Sequence, residues 1–229
     1  MIKEFGLGYL AAKKKQELSR LREIKKNNPS YRIIDVGGGK EKHVPDKFDF
    51  IDSCMDMREV THPGVTNYRG NINDPNLWNE VLKDVEKNGK YDYCICTHTL
   101  EDISSPAFVV SQINKIAKSG IVSFPSKYRE CSRFEINGQK SYRGYNHHRW
   151  ILTIKDGSVL AFPKVNLIEA SYFDTIAKHS REDVYELFAI WEDSLGFEII
   201  NSDWLGPSPI ECLEMYKREL SNTDEDKFL

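Results

Sequence analysis

The sequence predicts an α/β fold built on a mostly parallel sheet, and two observations support this prediction. Short runs of β-branched and other apolar residues recur along residues 31–125, and helical patterns separate the last three of these runs. Strands that alternate with helices of this length form parallel sheets with right-handed crossovers. The second observation is a turn of three glycines directly after the first run, where α/β sheets commonly bind ligands.

The individual elements follow from local patterns. The helix before residue 90 has Asp74 as its N-cap and Pro75 at its first position, and the next helix has Ser105 and Pro106 in the same roles. Apolar residues spaced among charged ones predict a further helix over residues 4–26. Strands are predicted at residues 31–36, 48–51, 65–68, 91–97 and 120–124.

The pattern changes after residue 124. Two apolar runs on either side of Asp156 and Gly157 predict a β-hairpin, because these two residues tolerate the positive φ angles of a tight turn. Residues 180–194 are predicted to be helical, and residues 197–205 to form a late strand that pairs antiparallel at the sheet edge. Residues 221–229 are polar and acidic, so we expect them to be disordered.

Length and composition fit a single soluble domain. A chain of 229 residues is long enough for one well-buried α/β domain and too short for two ordinary ones. No apolar run approaches the roughly 20 residues of a membrane helix, and no signal peptide is recognisable, so we expect a cytoplasmic protein without membrane contact. The predicted parts are an N-terminal helical cap (1–30), a ligand-binding core (31–125), an insertion (126–170), a C-terminal helix with an edge strand (171–220) and a tail (221–229).

Charge and cysteine content exclude further classes. The net charge of −3 argues against DNA binding by the chain as a whole, so any basic surface must be local. The five cysteines form no CxxC pair and leave an odd number, which supports neither a disulfide framework nor a zinc ribbon. Cys94 and Cys96 lie in an apolar run and are expected to be buried thiols. The sequence makes no prediction of an oligomeric state.

The glycine turn lacks the rest of a dinucleotide-binding motif. A third glycine is expected three residues after Gly39, where the chain has Lys42, and Pro45 interrupts any helix that follows. The second predicted strand ends in Asp52, seventeen residues after Asp35, where a carboxylate could bind both ribose hydroxyls. These features together predict a ligand that contains a ribose but no diphosphate.

With these motifs the chain resembles the class I S-adenosylmethionine-dependent methyltransferases over residues 31–125. "IIDVGGG" is similar to their first motif, "FIDS" to their ribose-binding acid, "GNIND" to their adenine-side loop, and "YDYCICTHTLEDISSP" to their fourth-strand motif. Asn71 stands where many members carry aspartate, and Asp102 where many carry histidine. The resemblance implies a Rossmann-like fold with a seven-stranded, mostly parallel sheet, helices on both faces, and an insertion with a β-hairpin after the fifth strand.

The resemblance also implies S-adenosyl-L-methionine as the cofactor and a set of residues that bind it. The glycines would lie against its methionine and ribose part, with Asp35 orienting the amine, and Asp52 would hold the ribose. Asn71 and Ile72 would flank the adenine. The implied cofactor-binding residues are Asp35, Gly37, Gly38, Gly39, Asp52, Asn71, Ile72, Thr97 and His98.

Methyltransferases of this class bind the acceptor above the fourth and fifth strands, which directs attention to the segment after Phe124. Residues 126–150 hold six Lys or Arg against two Glu, a net charge of +4, with aromatic residues interleaved. Guanidinium groups bind phosphate or carboxylate and aromatic faces stack on sugars, so we expect a small anionic acceptor, although a solvated loop would show the same composition. The predicted acceptor-binding residues are Glu101, Lys127, Tyr128, Arg129, Arg143, Tyr145 and Arg149.

Three histidines are candidate catalytic bases for a hydroxyl acceptor, because imidazole commonly titrates near neutral pH. They are His147, His148 and His98, with Glu101 and Asp102 as rivals. Adjacent residues of an extended segment point to opposite sides, so only one of His147 and His148 is expected to face the acceptor, with a slight preference for His147. The histidine pair also suits a divalent metal, but only scattered acids accompany it, so no metal site is predicted.

The preferred interpretation is an O-methyltransferase that acts on a hydroxyl of a small anionic sugar or sugar-like acceptor. Surface-polysaccharide biosynthesis is one process in which such an enzyme acts. One alternative is an RNA or protein methyltransferase, which the acidic net charge disfavours. The other is a non-catalytic, nucleotide-binding Rossmann-like module.

Overall fold

A computed structural model describes residues 1–8, 12–38, 49–60, 62–134, 142–200 and 209–228 of the chain. Six α-helices lie within these residues: α1 (Ala12–Asn27), α2 (Pro75–Asn88), α3 (Pro106–Ile116), α4 (Lys127–Cys131), α5 (Tyr172–Ala177) and α6 (Pro209–Leu220). The strands are β1 (Ile2–Gly8), β2 (Ile33–Val36), β3 (Ser53–Asp56), β4 (Thr66–Arg69), β5 (Tyr93–Thr97), β6 (Ser119–Pro125), β7 (Trp150–Lys155), β8 (Ser158–Pro163), β9 (Glu186–Glu192) and β10 (Gly196–Ile199).

The central sheet has seven strands in the order β4-β3-β2-β5-β6-β9-β1. Strands β2 to β6 are parallel, and their arrangement is that of the first five strands of a Rossmann sheet. Strand β9 runs antiparallel to both β6 and β1. The predicted Rossmann-like α/β fold with a mostly parallel, seven-stranded sheet is therefore confirmed.

Helices cover both faces of the sheet, because alternate residues of the buried strands point to opposite sides. Cys94 and Cys96 of β5 pack in the same core as α2 and α3, whereas Tyr93 and Ile95 of the same strand pack with Leu21 of α1. Burial raises the pKa of both thiols, as expected for cysteines that serve as small apolar side chains. Each helix among the described residues is too short or too polar to span a membrane.

The N-terminal prediction was only partly right. Helix α1 (Ala12–Asn27) covers most of the predicted helix 4–26, but residues 4–8 belong to β1, which pairs with β9 at the edge of the sheet. Gly6 lies against the Phe188 ring so closely that a Cβ at this position would collide with it. The hydrogen bonds to β9 therefore override the local helical pattern, and the 1–30 cap includes one strand of the central sheet.

The prediction of a helix over residues 180–194 was wrong. A short 3₁₀ helix covers Glu182–Val184, and Glu186–Glu192 forms β9 in the interior of the sheet. Residues 187–189 are completely or almost completely buried, because the strand has a neighbour on each side and core on each face. Part of the helix expected in residues 171–220 is thus an interior strand of the central sheet.

The hairpin was predicted correctly, but the late strand was assigned to the wrong sheet. Strands β7 and β8 pair antiparallel around Asp156 and Gly157, whose φ angles are 51° and 73°. Strand β10 pairs parallel to β8, with Phe197 opposite Val159, in a separate three-stranded sheet. Residues 201–205 of the predicted late strand lie outside the described residues.

The acidic tail was expected to be disordered, and this was also wrong. Asp224–Phe228 forms a 3₁₀ helix in which the Glu225 side chain is fully buried. The Glu225 carboxylate accepts a hydrogen bond from Thr153 Oγ1 at 2.6 Å. Lys127 reaches the same region and donates to the Leu220 carbonyl at 2.9 Å and to Asp226. Buried polar contacts therefore order the tail despite its composition.

The buried carboxyl of Glu225 makes stability depend on pH. Burial raises its pKa from the ordinary value of 4.5 to about 7, against the opposing effect of the Lys127 ammonium group. A raised folded-state pKa means that the stabilising contribution is complete below pH 4.5 and is lost as the pH rises through 7. We expect wild-type Tm to fall more between about pH 5 and 8 than that of Glu225→Gln, measured against the exposed control Glu182→Gln. Parallel pH profiles in all three proteins would contradict this.

Candidate functional site

The candidate site lies at the edge of the sheet where the parallel strands β2 to β6 end. Gly37 follows β2 with a φ angle of 80°, and its N–H donates to the Met55 carbonyl at 2.8 Å. A Cβ at Gly37 would overlap the Thr99 side chain, and a Cβ at Gly38 would overlap the carboxylate of Asp35. Both positions therefore require glycine, and the turn closes over the buried Asp35 side chain. Gly39 lies outside the described residues.

Asp52 does not lie at this edge. The predicted strand at residues 48–51 is displaced, because β3 begins only at Ser53, so Asp52 lies at the opposite, amino end of the strand. Its carboxylate accepts hydrogen bonds from the Ile33 N–H at 2.8 Å and from Lys25 Nζ at 2.6 Å. Asp52 thus links α1 to β2, and the expectation that it ends the second strand was wrong.

Asp56 occupies the position that was expected for Asp52. It is the last residue of β3, and its neighbour Met55 pairs with Val36, directly before the glycine turn. The Asp56 carboxylate accepts a hydrogen bond from the Arg58 N–H at 2.7 Å. Asp56 follows Asp35 by 21 residues, close to the spacing of about 20 that is typical of a ribose-binding acid.

Asn71 and Ile72 follow β4 and lie in the loop that leads to α2. The Asn71 side-chain oxygen accepts two hydrogen bonds at 3.0 Å from Asn73, one from its backbone N–H and one from its side chain. Ile72 is buried, and its carbonyl accepts a hydrogen bond from the Trp78 indole at 2.8 Å. These contacts fix the loop at the same edge of the sheet as the glycine turn.

His98 stands directly after Thr97, the last residue of β5, in a left-handed conformation with φ of 49°. Its Nε2 lies 3.1 Å from Glu186 Oε1, and its Nδ1 lies 3.4 Å from Glu101 Oε1. Lys14 of α1 contributes a second cation, 2.6 Å from the same Glu186 oxygen. Four charged groups from three parts of the chain therefore meet beside the predicted cofactor position.

This charged cluster determines the protonation of His98. Burial lowers the pKa of His98, but the carboxylates of Glu101 and Glu186 outweigh it and raise the pKa to about 9. Burial acts to raise the pKa of Glu186, but His98 and Lys14 hold it at about 2. His98 is therefore cationic at neutral pH and can donate hydrogen bonds, but it does not suit the role of a general base.

The second cluster comprises Asp102, His147 and His148. Asp102 Oδ1 lies 3.5 Å from His148 Nε2 and 3.8 Å from His147 Nε2. Both histidines approach the same carboxylate because residues 145–148 form a turn, which the hydrogen bond from the His148 N–H to the Tyr145 carbonyl closes at 3.2 Å. The extended geometry on which the sequence prediction relied is absent from this segment.

His148 is the more firmly held of the two histidines. It is buried, and its Nδ1 lies 2.7 Å from Oε1 of the buried Glu130. The other Glu130 oxygen accepts a hydrogen bond from Lys164 Nζ at 2.6 Å. His147 is exposed. Cavities of about 620 and 510 Å³ border this cluster, and His148 and Lys164 line both of them.

Several residues expected to contact the acceptor have structural partners instead. The Lys127 ammonium is buried against the C-terminal segment, and the Tyr128 hydroxyl donates to Asp226 at 2.6 Å. The buried Arg143 guanidinium donates to the Cys131 carbonyl at 2.7 Å and to Asp174 at 2.6 Å, although Arg143 also borders the larger cavity. The net positive charge of this segment therefore overstates its capacity to bind an anion.

The other predicted acceptor residues remain at the site. Arg149 lines the smaller cavity, and its backbone N–H donates to the Glu101 carbonyl at 2.7 Å. Arg129 packs its guanidinium over the Phe134 ring at 3.2 Å, and Tyr145 lies edge-on to the same ring. These residues place cationic and aromatic groups around the His147–His148 turn.

Sequence reasoning missed Lys14, Thr99, Glu130, Lys164 and Glu186. Glu186 lay in a segment that was interpreted as a helix, although the five apolar residues after it are typical of a buried strand. Glu130 and Lys164 were visible only as two charges in a basic, aromatic insertion. For Lys14 and Thr99, the local sequence holds no signal of their contacts across the fold.

No protein-family model and no curated protein matches the sequence. Among solved structures, the chain is similar to the N-terminal domain of EvdMO1 with SAH bound, at 10% identity and a TM-score of 0.37, over 76% of this chain and 78% of that one. It is similar to a putative S-adenosylmethionine-dependent methyltransferase from Listeria monocytogenes at 13% identity and a TM-score of 0.39, over 78% of this chain and 97% of that one. It is also similar to an S-adenosylmethionine-dependent methyltransferase from Mesorhizobium loti at 11% identity and a TM-score of 0.41, over 80% of this chain and 99% of that one. Identities and TM-scores this low carry no conclusion about this chain, whose fold follows from its own strand order.

Proposed function

We propose that the protein is an S-adenosylmethionine-dependent methyltransferase that methylates a hydroxyl group of a small anionic acceptor, such as a sugar. The observation that carries this proposal is the glycine turn: Gly37 and Gly38 close against Thr99 and Asp35, and Asp56 ends the neighbouring strand. A ribose-containing ligand without a diphosphate suits a glycine turn that is followed by an acid and lacks the third glycine of a dinucleotide motif.

The described residues suggest how the cofactor would bind. Asp56 would accept hydrogen bonds from the ribose hydroxyls, and the backbone at Gly37 and Gly38 would lie against the methionine and ribose part. Asn71 and Ile72 would border the adenine, beyond the end of β4. A cationic His98 suits the methionine carboxylate better than the positively charged sulfonium, and Glu101 and Glu186 would offset its charge.

The acceptor would bind next to the His147–His148 turn. Methyl transfer is an in-line displacement, so the protein mainly has to align the acceptor oxygen with the methyl group and accommodate the hydroxyl proton. The fixed position of His148, with Glu130 on its Nδ1, favours His148 over His147 as the histidine that acts on the acceptor. Its Nε2 would act on the hydroxyl directly or through a bound ion. Arg149 would bind the anionic part of the acceptor.

The two alternatives have less support. Lys127 and Arg143 are occupied within the protein, which reduces the basic surface that could bind the phosphates of an RNA. A non-catalytic nucleotide-binding module would not need a buried carboxylate–histidine pair beside a cavity.

Isothermal titration calorimetry with S-adenosylmethionine, S-adenosylhomocysteine and NAD tests the proposal. We expect the first two ligands to bind and NAD to bind at least about tenfold more weakly, because the sequence has Lys42 in place of the third glycine of a dinucleotide-binding motif. Binding of NAD without either of the other ligands would support the nucleotide-binding module and refute the methyltransferase.

A further inference from the structure

The cluster of Asp102, His147 and His148 has the spacing of a metal site. One possible ligand atom from each of the three residues, a carboxylate oxygen and two imidazole nitrogens, lies within 4.8 Å of the others. The separations of 3.5 and 3.8 Å from Asp102 are too long for hydrogen bonds. Ligand atoms that share one ion at about 2.1 Å lie roughly 3 to 3.5 Å apart, so a small contraction would bring these three atoms around one ion.

The carboxylate next to His148 Nδ1 strengthens the assignment of these residues to a metal site. A histidine that binds a metal through one nitrogen usually donates its other N–H to a carboxylate, which fixes the tautomer and the ring orientation. His148 Nδ1 lies 2.7 Å from Glu130, whose side chain is only 1% exposed. With the Nδ1 proton donated to Glu130, the Nε2 lone pair points to Asp102 and His147. Lys164, at 2.6 Å, balances the charge of Glu130.

The backbone joins the two segments that carry the ligands. The Arg149 N–H, one residue after the histidine pair, donates to the carbonyl of Glu101, one residue before Asp102, at 2.7 Å. The Asp102 N–H donates to the Thr99 carbonyl at 3.2 Å, which holds its loop against the end of β5. The ligands are therefore brought together by the fold, although 45 residues separate Asp102 from His147 in the sequence.

We propose that Asp102, His147 and His148 bind a divalent first-row transition metal ion, with Glu130 as the positioning residue for His148. Two imidazoles and one carboxylate suit Mn²⁺, Fe²⁺, Co²⁺ or Zn²⁺ better than Mg²⁺ or Ca²⁺, which prefer oxygen ligands throughout. Three protein ligands leave coordination positions open towards the smaller cavity, which His147, His148 and Arg149 line. A hydroxyl-bearing acceptor would occupy these positions.

The role of the ion rests on the proposed methyltransferase function. An ion-bound hydroxyl has a lowered pKa, so its proton would pass to water. The oxygen would then attack the methyl carbon: the carbon–oxygen bond forms as the carbon–sulfur bond breaks, and S-adenosylmethionine becomes S-adenosylhomocysteine. His148 would in this case be a metal ligand instead of a proton acceptor.

Metal binding can be measured without an acceptor. The full chain, treated with a chelator and dialysed, would be titrated with Mn²⁺ while electron paramagnetic resonance records the free ion, and separately with Zn²⁺ by calorimetry. We expect the wild-type protein and the control His62→Ala to bind one Mn²⁺ per chain, and Asp102→Ala and His147→Ala to bind it at least about tenfold more weakly. Glu130→Gln should weaken binding by about 10- to 100-fold, as a loss of ligand orientation would.

Asp102 and His147 are both exposed, so their replacement leaves the fold intact even if replacement of the buried His148 does not. Absence of Mn²⁺ and Zn²⁺ binding in the wild-type protein, or equal affinity in Asp102→Ala and His147→Ala, would overturn the metal site. S-adenosylhomocysteine binding is measured on the same samples. Binding of S-adenosylhomocysteine without metal binding would refute only the metal site. Binding of the metal without S-adenosylhomocysteine would refute the proposed function and leave the metal site standing.

Discussion

Replacement of Gly37 by alanine is expected to abolish binding of S-adenosylhomocysteine and to destabilise the protein strongly. Two costs combine at this position. A φ angle of 80° is strained for any residue with a Cβ, which costs on the order of 1 to 3 kcal/mol. The new Cβ would also overlap the side chain of Thr99, whose branched shape leaves it little freedom to move away. The turn must shift, and the cofactor would lose the surface against which it lies.

Gly64 provides a matched control for the first of these costs. Its φ angle of 84° is almost the same, but no atom lies within 4 Å of the position that a Cβ would take. Gly64→Ala should therefore show the backbone strain alone, measured as the free energy of unfolding in urea, and should bind S-adenosylhomocysteine normally. Gly37→Ala/Thr99→Ala should recover part of the stability lost in Gly37→Ala. Equal losses in Gly37→Ala and Gly64→Ala would show that the Thr99 contact is unimportant.

The core of the fold could be predicted because its signals are local. Asp74 accepts a hydrogen bond from the Asn76 N–H at 2.9 Å, as an N-cap does, and Pro75 begins α2 as expected. The Asp156–Gly157 turn adopts the positive φ angles that its sequence predicts. In each case the relevant atoms lie within a few residues of one another, so a short stretch of sequence contains the whole cause.

The errors occurred where distant segments determine each other's structure. Strands β1 and β9 pair across more than 180 residues, with Phe5 opposite Ala189, and neither strand has a partner in its own neighbourhood. The tail behaves in the same way, because its order depends on contacts of Glu225 with Thr153 and of Asp226 with Lys127. Such contacts outweigh local propensity and composition, and a single sequence does not show which segments will meet.

The candidate site was predicted in outline and misjudged in detail. The sequence located the glycine turn, the loop after β5 and the histidine pair, all of which lie close to strand ends or in short turns. Counting charges between residues 126 and 150 could not show that Arg143 pairs with Asp174 or that Lys127 pairs with Asp226, since the partners come from later segments. The sequence likewise did not show that Glu130 lies behind His148, or that Asp102 joins the histidine pair in one cluster.

The second major prediction follows from the finding that Asp56, and not Asp52, lies at the carboxyl end of β3. Asp56→Ala should weaken S-adenosylhomocysteine binding by about 1.5 to 3 kcal/mol, the usual contribution of a hydrogen bond to a charged group, which is roughly a 10- to 150-fold increase in Kd. The reason is its place at the end of β3, beside the strand that leads into Gly37. Its contact with the Arg58 N–H is local, so the loss of stability should be small.

Asp52→Ala is the matched control, because it removes the same side chain from the other end of the same strand. Asp52 accepts hydrogen bonds from the Ile33 N–H and from Lys25, so its loss leaves a backbone N–H and an ammonium group without these partners. We therefore expect a lower Tm with an unchanged Kd for S-adenosylhomocysteine. Calorimetric titration should thus detect a change only in Asp56→Ala, and thermal unfolding should detect a large change only in Asp52→Ala. An increased Kd for S-adenosylhomocysteine in Asp52→Ala, together with an unchanged Kd in Asp56→Ala, would place the ribose at the other end of β3 and refute the site described above.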